Sequence, residues 1–127
     1  MITIYRYILL FMLLGFLGCS EQVDQSMIVG KYIANHKKGI DTLELKADGT
    51  YTFYYKSADG TELTNTNRWE FEYQNKEPRI TFEKFIFGLP NFGSKEPGFW
   101  NVKVEMSGKT PRLCIDPDLN YYYEKQK

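Results

Sequence analysis

The sequence predicts an all-β domain: an eight-stranded antiparallel meander closing into a barrel, with a two-sheet β-sandwich as the alternative way to bury the same strands. Three observations carry this. From residue 28 onward bulky side chains recur at every second position, the period of a strand with one face in a core. Turn-forming clusters interrupt that alternation at roughly 8–14-residue intervals. No stretch after residue 27 sets apolar residues at helical spacing. Eight strands in a meander leave two open edges, and closure or stacking hides them.

The elements follow in order. Residues 28–35 form a first strand candidate. Residues 40–46 set Leu43 and Leu45 against Thr42, Glu44 and Lys46. Ala47-Asp48-Gly49 is a turn, where glycine supplies positive φ. Residues 50–56 alternate Tyr51, Phe53 and Tyr55 with Thr52, Tyr54 and Lys56. A second turn, Ala58-Asp59-Gly60, leads to a strand ending near Tyr73, where Trp69, Phe71 and Tyr73 alternate with Arg68, Glu70 and Glu72. Residues 74–78 are a polar turn. Residues 79–87 are the fifth strand, with Ile80 and Phe82 inward; the shift of period to Phe85 and Phe87 predicts a bulge near Lys84. Residues 99–106 are the sixth, 112–115 the seventh and 120–125 the eighth, separated by turns at 107–111 and 116–118.

The N-terminus has a different character. Residues 1–7 hold one positive charge, Arg6, and residues 8–17 are an unbroken apolar run. A charged start, a short apolar stretch and a small residue before the cut describe a secretory signal, and a membrane-spanning helix needs about 20 apolar residues. Phe16-Leu17-Gly18-Cys19 resembles the lipobox of a bacterial lipoprotein. The resemblance implies cleavage after residue 18 and a diacylglycerol on Cys19, now the first mature residue. Two acyl chains suffice for stable anchoring. The expected organisation is a signal peptide with its signal helix over residues 1–18, the lipidated cysteine and a polar tether over 19–27, and the β domain over 28–127. Ser20 after the cysteine points to the outer membrane, facing the periplasm, in a two-membrane bacterium.

Gly30-Lys31-Tyr32, the stretch Gly39-Ile40-Asp41-Thr42-Leu43-Glu44-Leu45 and Asp48-Gly49-Thr50-Tyr51 together resemble the start of small lipocalin-like bacterial lipoproteins, especially the N-terminal barrel of the copper-homeostasis and envelope-stress outer-membrane lipoproteins. The resemblance implies a lipocalin-like barrel on a lipid anchor in the cell envelope. That family has a Cys-x-x-Cys where this chain has Ala34-Asn35-His36-Lys37-Lys38, so a copper or redox role does not carry over.

Composition narrows the function classes. Basic and acidic residues balance at 16 each and are interleaved, against the one-sided basic excess of nucleic-acid binders. Aromatics make up 17% of the chain, and each can bury about 150–250 Å². The predicted inward set is Tyr51, Phe53, Tyr55, Trp69, Phe71, Tyr73 and Trp100, which either lines a pocket for a small apolar or amphipathic ligand or fills the barrel solid. The longest connection, residues 88–98, carries Leu89 and Phe92 as a lid, a partner-binding lip or a plug. His36, the single histidine, is expected in an exposed loop without an orienting partner. Cys114 is expected as a small strand hydrophobe, left without a partner once Cys19 is lipidated. Tyr122, facing away from Tyr121 and Tyr123, is an expected exposed contact.

The repeated Ala-Asp-Gly-Thr at 47–50 and 58–61 reads as two similar hairpin turns, since a calcium loop needs more carboxylates. Glu70/Glu72 and Asp116/Asp118 are not placed to face each other across a cleft. No catalytic residue, metal site or cofactor is expected. The expected function is a membrane-anchored binding module for a small ligand, or alternatively an envelope protein–protein interaction or inhibitor module with a solid barrel.

Overall fold

The computed structural model describes residues 22–88 and 96–127. Eight strands form in chain order: β1 (Gly30–Ala34), β2 (Ile40–Leu45), β3 (Thr50–Lys56), β4 (Glu62–Gln74), β5 (Glu77–Phe85), β6 (Gly98–Ser107), β7 (Thr110–Asp116) and β8 (Tyr121–Lys125). Each pairs antiparallel with the next, and β8 returns to β1 through Tyr32↔Lys125, Ile33↔Glu124 and Ala34↔Tyr123. The meander is therefore a closed barrel, and the sandwich alternative is excluded. The connections 35–39, 57–61 and 117–120, with the described ends of the β5–β6 connection (86–88 and 96–97), gather at one end, the loop end. The tight turns 46–49, 75–76 and 108–109 gather at the other, the turn end, where the chain enters β1 and leaves β8.

Local chemistry explains the strand limits. In both Ala-Asp-Gly turns the aspartate accepts the N–H of the threonine two residues on, at 2.9 Å, and Gly49 and Gly60 take φ of 86° and 90°. These bonds, with those from the Thr50 and Ser57 hydroxyls, hold both carboxyls below their usual range, Asp59 to about 2. Each carboxylate serves its own turn, as the sequence suggested. The bulge expected near Lys84 is present: the β5–β6 register shifts between Phe82 and Phe85, and Lys84 has φ 49°. The polar turn expected over 74–78 is tighter, just Asn75 and Lys76 at positive φ. Pro78 already pairs with Tyr73.

β4 is the longest strand. Its first half pairs with β3 and its second half, from Trp69, with β5. It therefore passes from one side of the barrel to the other and carries its last residues beyond the turn end.

The barrel core holds Tyr32, Leu43, Leu45, Tyr51, Phe53, Ile80, Phe82, Leu113 and Tyr123, all essentially without solvent contact. Buried tyrosines need partners for their hydroxyls, and these are backbone carbonyls. Tyr32 donates to Ile28 O at 2.6 Å and Tyr51 to Glu83 O at 2.6 Å, while the Trp69 indole donates to Lys46 O at 3.1 Å. Burial pushes the Tyr32 phenol well above its usual range.

The polar stretch expected as a free tether over residues 20–27 behaves differently from Val23 on. A short helix, α1 (Gln25–Ile28), capped by Asp24, closes the turn end and puts Ile28 wholly inside. Val23 packs on the core, Tyr73 donates to Val23 O at 2.7 Å, and Lys125 Nζ donates to Met27 O at 2.6 Å. A single apolar turn escaped the alternation pattern because one helical turn has too few residues to show a period. The first strand accordingly starts at Gly30 rather than residue 28. The signal segment and Cys19 lie outside the described residues. Among the described residues no helix is long and apolar enough to cross a membrane.

Tyr32 is the bond between barrel wall and plug. Replacing Tyr32 by Phe keeps the ring and removes the hydroxyl, orphaning the buried Ile28 carbonyl; the expected loss is about 1–3 kcal/mol, read as a lower urea midpoint at unchanged slope.

Candidate functional site

The loop end is where unusual chemistry gathers. Asp41 begins the inward face of β2, Tyr123 that of β8, and His36 sits in the 35–39 connection between β1 and β2. The His36 ring and the Asp41 carboxylate are both shielded from solvent, with Nε2 and Oδ2 2.8 Å apart. Tyr123 donates its hydroxyl to the other carboxylate oxygen. The Lys38 backbone N–H donates to Nδ1 at 3.3 Å, which assigns the imidazole proton to Nε2 and makes His36 a donor to Asp41.

Thus His36 is not the exposed, unsupported loop histidine the sequence suggested; only 6% of it is accessible. Its neighbours in sequence are polar, and nothing local announces a buried carboxylate five residues on. Both ring nitrogens are committed, so the triad acts as a clasp rather than as a base aimed at a substrate. Burial pushes the Asp41 carboxyl up, opposed by the hydrogen bonds from Tyr123 and His36. Burial beside that carboxylate pushes the Tyr123 phenol well above its usual range.

Asn35 completes the clasp. Its backbone N–H donates to Tyr122 O at 2.9 Å, its side-chain Nδ2 donates to Asn120 O at 3.0 Å, and its side-chain Oδ1 accepts the Tyr122 N–H at 2.8 Å. The Tyr121 ring lies 5.3 Å from the His36 ring. Asn35, His36, Asp41 and Tyr123 therefore lock the loop end of the β1–β8 seam.

Below the clasp the interior is aromatic. Phe85 contacts Phe53 at 5.1 Å, Phe82 at 5.4 Å, Trp100 at 4.8 Å and Phe87 at 4.9 Å, ring centre to ring centre. Tyr51 meets Phe82 edge-on at 5.2 Å and Trp100 reaches Tyr123 at 6.1 Å. This column rises from the buried middle to half-buried Phe87 and Trp100 at the mouth. Gly88 follows: a Cβ there would lie 2.3 Å from the Tyr55 ring, so the 88–98 connection leaves across that ring, whose hydroxyl donates to Lys38 O at 3.0 Å. Leu89 and Phe92 lie outside the described residues.

The expected inward set is only partly brought together. Tyr51, Phe53, Tyr55 and Trp69 are buried in the barrel, and Trp100 joins them at the mouth. Phe71 is half-buried at the turn end, its ring 5.6 Å from that of Tyr73. Tyr73 is 43% exposed, because β4 outruns the barrel and its ring lies under the N-terminal segment instead. The aromatic column owes more to Phe85 and Phe87, which the bulge at Lys84 turns inward. Tyr122 does face away from Tyr123, but the Arg112 guanidinium covers its ring at 4.1 Å, leaving 9% accessible. Cys114 beside it is free and partly buried, and burial raises its thiol, which keeps it protonated.

The outer wall of the barrel carries surface depressions on both sides of the β1–β8 seam. One, about 430 Å³, lies outside β1–β3 along Lys31, Ile33, Thr42 and Tyr54; another, about 620 Å³, lies outside β7 and β8 along Arg112, Glu124 and Lys127. Among the described residues no group of three or more His, Cys, Asp or Glu is placed to hold a metal. No family model, curated protein or solved structure matches the chain.

Two outcomes follow from the clasp. Asp41→Ala leaves the Tyr123 hydroxyl and the His36 Nε2–H buried without an acceptor, at a cost of about 2–5 kcal/mol, measured by urea unfolding. Raised phenols also set an alkaline limit. Tyr32, Tyr51 (pushed up to about 12 by burial) and Tyr123 keep protons that the unfolded chain releases above pH 10. Their contribution is complete below pH 10 and falls by roughly 1.4 kcal/mol per pH unit per tyrosine as pH rises through the folded values. The part of the phenolate absorbance that Tyr32, Tyr51 and Tyr123 supply should rise together with loss of β-sheet circular dichroism, rather than ahead of it, and should be missing from the corresponding Tyr→Phe variants.

Proposed function

We propose that this chain is a membrane-anchored interaction module of the cell envelope. It is held through Cys19 and binds a partner protein with the loop end of its barrel. The observation that carries this reading is the placement of exposed apolar side chains. Among the described residues Ile33, Ile40, Phe99 and Leu119, each about half exposed or more, all lie toward the loop end; the other large exposed hydrophobic among them, Tyr73, is at the turn end and already spends its hydroxyl on Val23. Apolar side chains concentrated on one end of a small domain, rimmed by Lys37, Lys38, Asp59 and Asp118, match the apolar centre and polar rim of a protein interface. The aromatic column that fills the barrel body supports the solid-barrel alternative over a deep pocket.

The anchor supports the same polarity. Val23 is fixed at the turn end, four residues after Cys19, so a lipidated cysteine would hold that end near the bilayer and turn the loop end away from it. A second reading, capture of a small amphipathic ligand, is favoured by one feature: Phe87 and Trp100 remain half-buried at the mouth and could take an acyl or aryl group over their rings.

Photocrosslinking in the native host separates the two. A benzophenone side chain at Phe99 or Leu119 is expected to give one discrete protein adduct, and the same group at Glu70, on the outer face near the turn end, none. Absence of any adduct from the loop end, together with a small molecule retained by the purified chain in native mass spectrometry and lost in Phe87→Ser, would replace the first reading by the second.

A further inference from the structure

β6 changes partners part-way along, as β4 does. Residues 98–103 are laddered to β5, from Phe85↔Gly98 to Arg79↔Lys103. Residues 104–107 are laddered to β7, from Val104↔Leu113 to Ser107↔Thr110. Beyond Leu113, β7 is laddered to β8, and its register shifts between Cys114 and Asp116, the mark of a bulge that bends a strand. The end of β4, β5 and the start of β6 therefore make a patch with two edges in the barrel wall. The β4 edge, at the turn end, lies under the N-terminal segment, where Tyr73 donates to Val23 O. The β6 edge, at the loop end, carries Phe99, 79% exposed, with Asn101 and Lys103 also exposed. Among the described residues no ladder covers it.

Two prolines fix which backbone groups that edge presents. Pro111 stands opposite Met106, and Pro78 opposite Tyr73. Proline has no N–H, so neither pair exchanges ladder bonds. Antiparallel pairs alternate between bonded and non-bonded. Counting from Pro111, Glu105 and Ser107 turn their N–H and C=O to β7, and the even residues of β6 turn theirs to β5. Counting from Pro78, Ile80 and Phe82 face Val102 and Trp100 in bonded pairs, which is the same answer. Phe99 and Asn101 therefore turn their N–H and C=O off the open edge. The Asn101 side chain does not cap them, because its amide donates to Thr81 Oγ1 at 2.8 Å, back over β5.

We propose that this edge receives an extended segment of a partner protein, which joins the barrel wall as an extra strand beside residues 99–103. The proposal deepens the loop-end reading above and rests on it. An extended backbone offers N–H and C=O groups in the alternating order that a strand edge requires. Side chains set further terms. One face of the added strand lies beside half-buried Trp100 and buried Val102, with Ile115, packed on the core, across the opening. The other face lies on the outer wall beside Phe99. The occupant is thus a segment with apolar residues at alternate positions and a further apolar residue over the Phe99 ring. Leu119, 51% exposed on the connection that follows β7, extends this apolar border.

Amide exchange, read by NMR on the purified full chain in detergent micelles, tests the edge. The Phe99 and Asn101 N–H groups are expected to exchange about 100-fold faster than those of Trp100 and Val102, which are bonded to β5. Equal protection at all four means that the edge is already covered, and overturns the proposal.

The benzophenone at Leu119 in the native host tests the occupant. Asn101→Pro removes an edge donor and leaves the β5 ladder in place; Asn101→Ala removes the same side chain and keeps the donor. The partner adduct is expected to fall about tenfold in Asn101→Pro relative to Asn101→Ala. Equal adducts overturn strand addition while the loop-end contact stands. Phe99→Pro against Phe99→Ala makes the same comparison at the start of the strand, should Asn101→Pro lose its β-sheet circular dichroism. An adduct of twice the mass of this chain overturns a different protein in favour of a second copy. No adduct from Leu119 or Phe99 ends the loop-end reading, and the proposal with it.

Discussion

The structure depends on one seam. A meander of eight strands has two edges, and each edge is a row of unpaired N–H and C=O groups that must be covered. Here β1 and β8 cover each other over only three residue pairs, fewer than any hairpin in the barrel provides. The chain reinforces this short seam at both ends. At the loop end Asn35 clips onto β8 and His36, Asp41 and Tyr123 share a buried carboxylate. At the turn end Lys125 holds Met27, and the Gln126 N–H donates to Lys31 O at 2.8 Å. The aromatic interior stays dry only while both fastenings hold. The polar groups at the core margin are therefore part of the barrel's closure.

Much of this was legible in the sequence, for a definite reason. Alternation reports strands, and Asp-Gly pairs report hairpins, because both are local. Leu43/Leu45, Tyr51/Phe53/Tyr55 and Trp69 all face inward as their period requires, and the change of period at Phe85 located the bulge at Lys84. What was not legible depends on contacts between distant residues. His36 looked exposed because its burial is produced by Asp41 and by Tyr121 and Tyr123, more than eighty positions on. Tyr73 looked like core because alternation does not tell where a strand outruns its barrel. Tyr122 looked exposed because alternation gives the face but not the arginine lying on it. The docking of α1 is likewise written in Tyr73 and Lys125, far from Val23 and Met27.

The candidate site was legible only in outline. The sequence supplied an inward aromatic set, which the barrel body does contain in Tyr51, Phe53, Tyr55 and Trp69, and a long connection at 88–98, but not that exposed Phe99, Leu119, Ile40 and Ile33 share one end. That placement arises from barrel topology, which sorts odd and even connections to opposite ends. One end is closed by α1; the other carries the exposed apolar side chains and is closed by the histidine clasp. A domain built this way has a direction.

The seam also governs the order in which the barrel can be completed. Its pairing joins the first strand to the last, so β1 waits, with one edge bare, until residues 121–125 are present. Among all the ladders this one spans the greatest stretch of chain and pays the largest loop-closure entropy. During synthesis, or passage through a narrow pore, the hairpins can come and go but the cylinder cannot shut before its tail has emerged. In the exported chain proposed above, the brevity of the β1–β8 ladder, a weakness in the finished barrel, would keep the chain pliable until its passage was over.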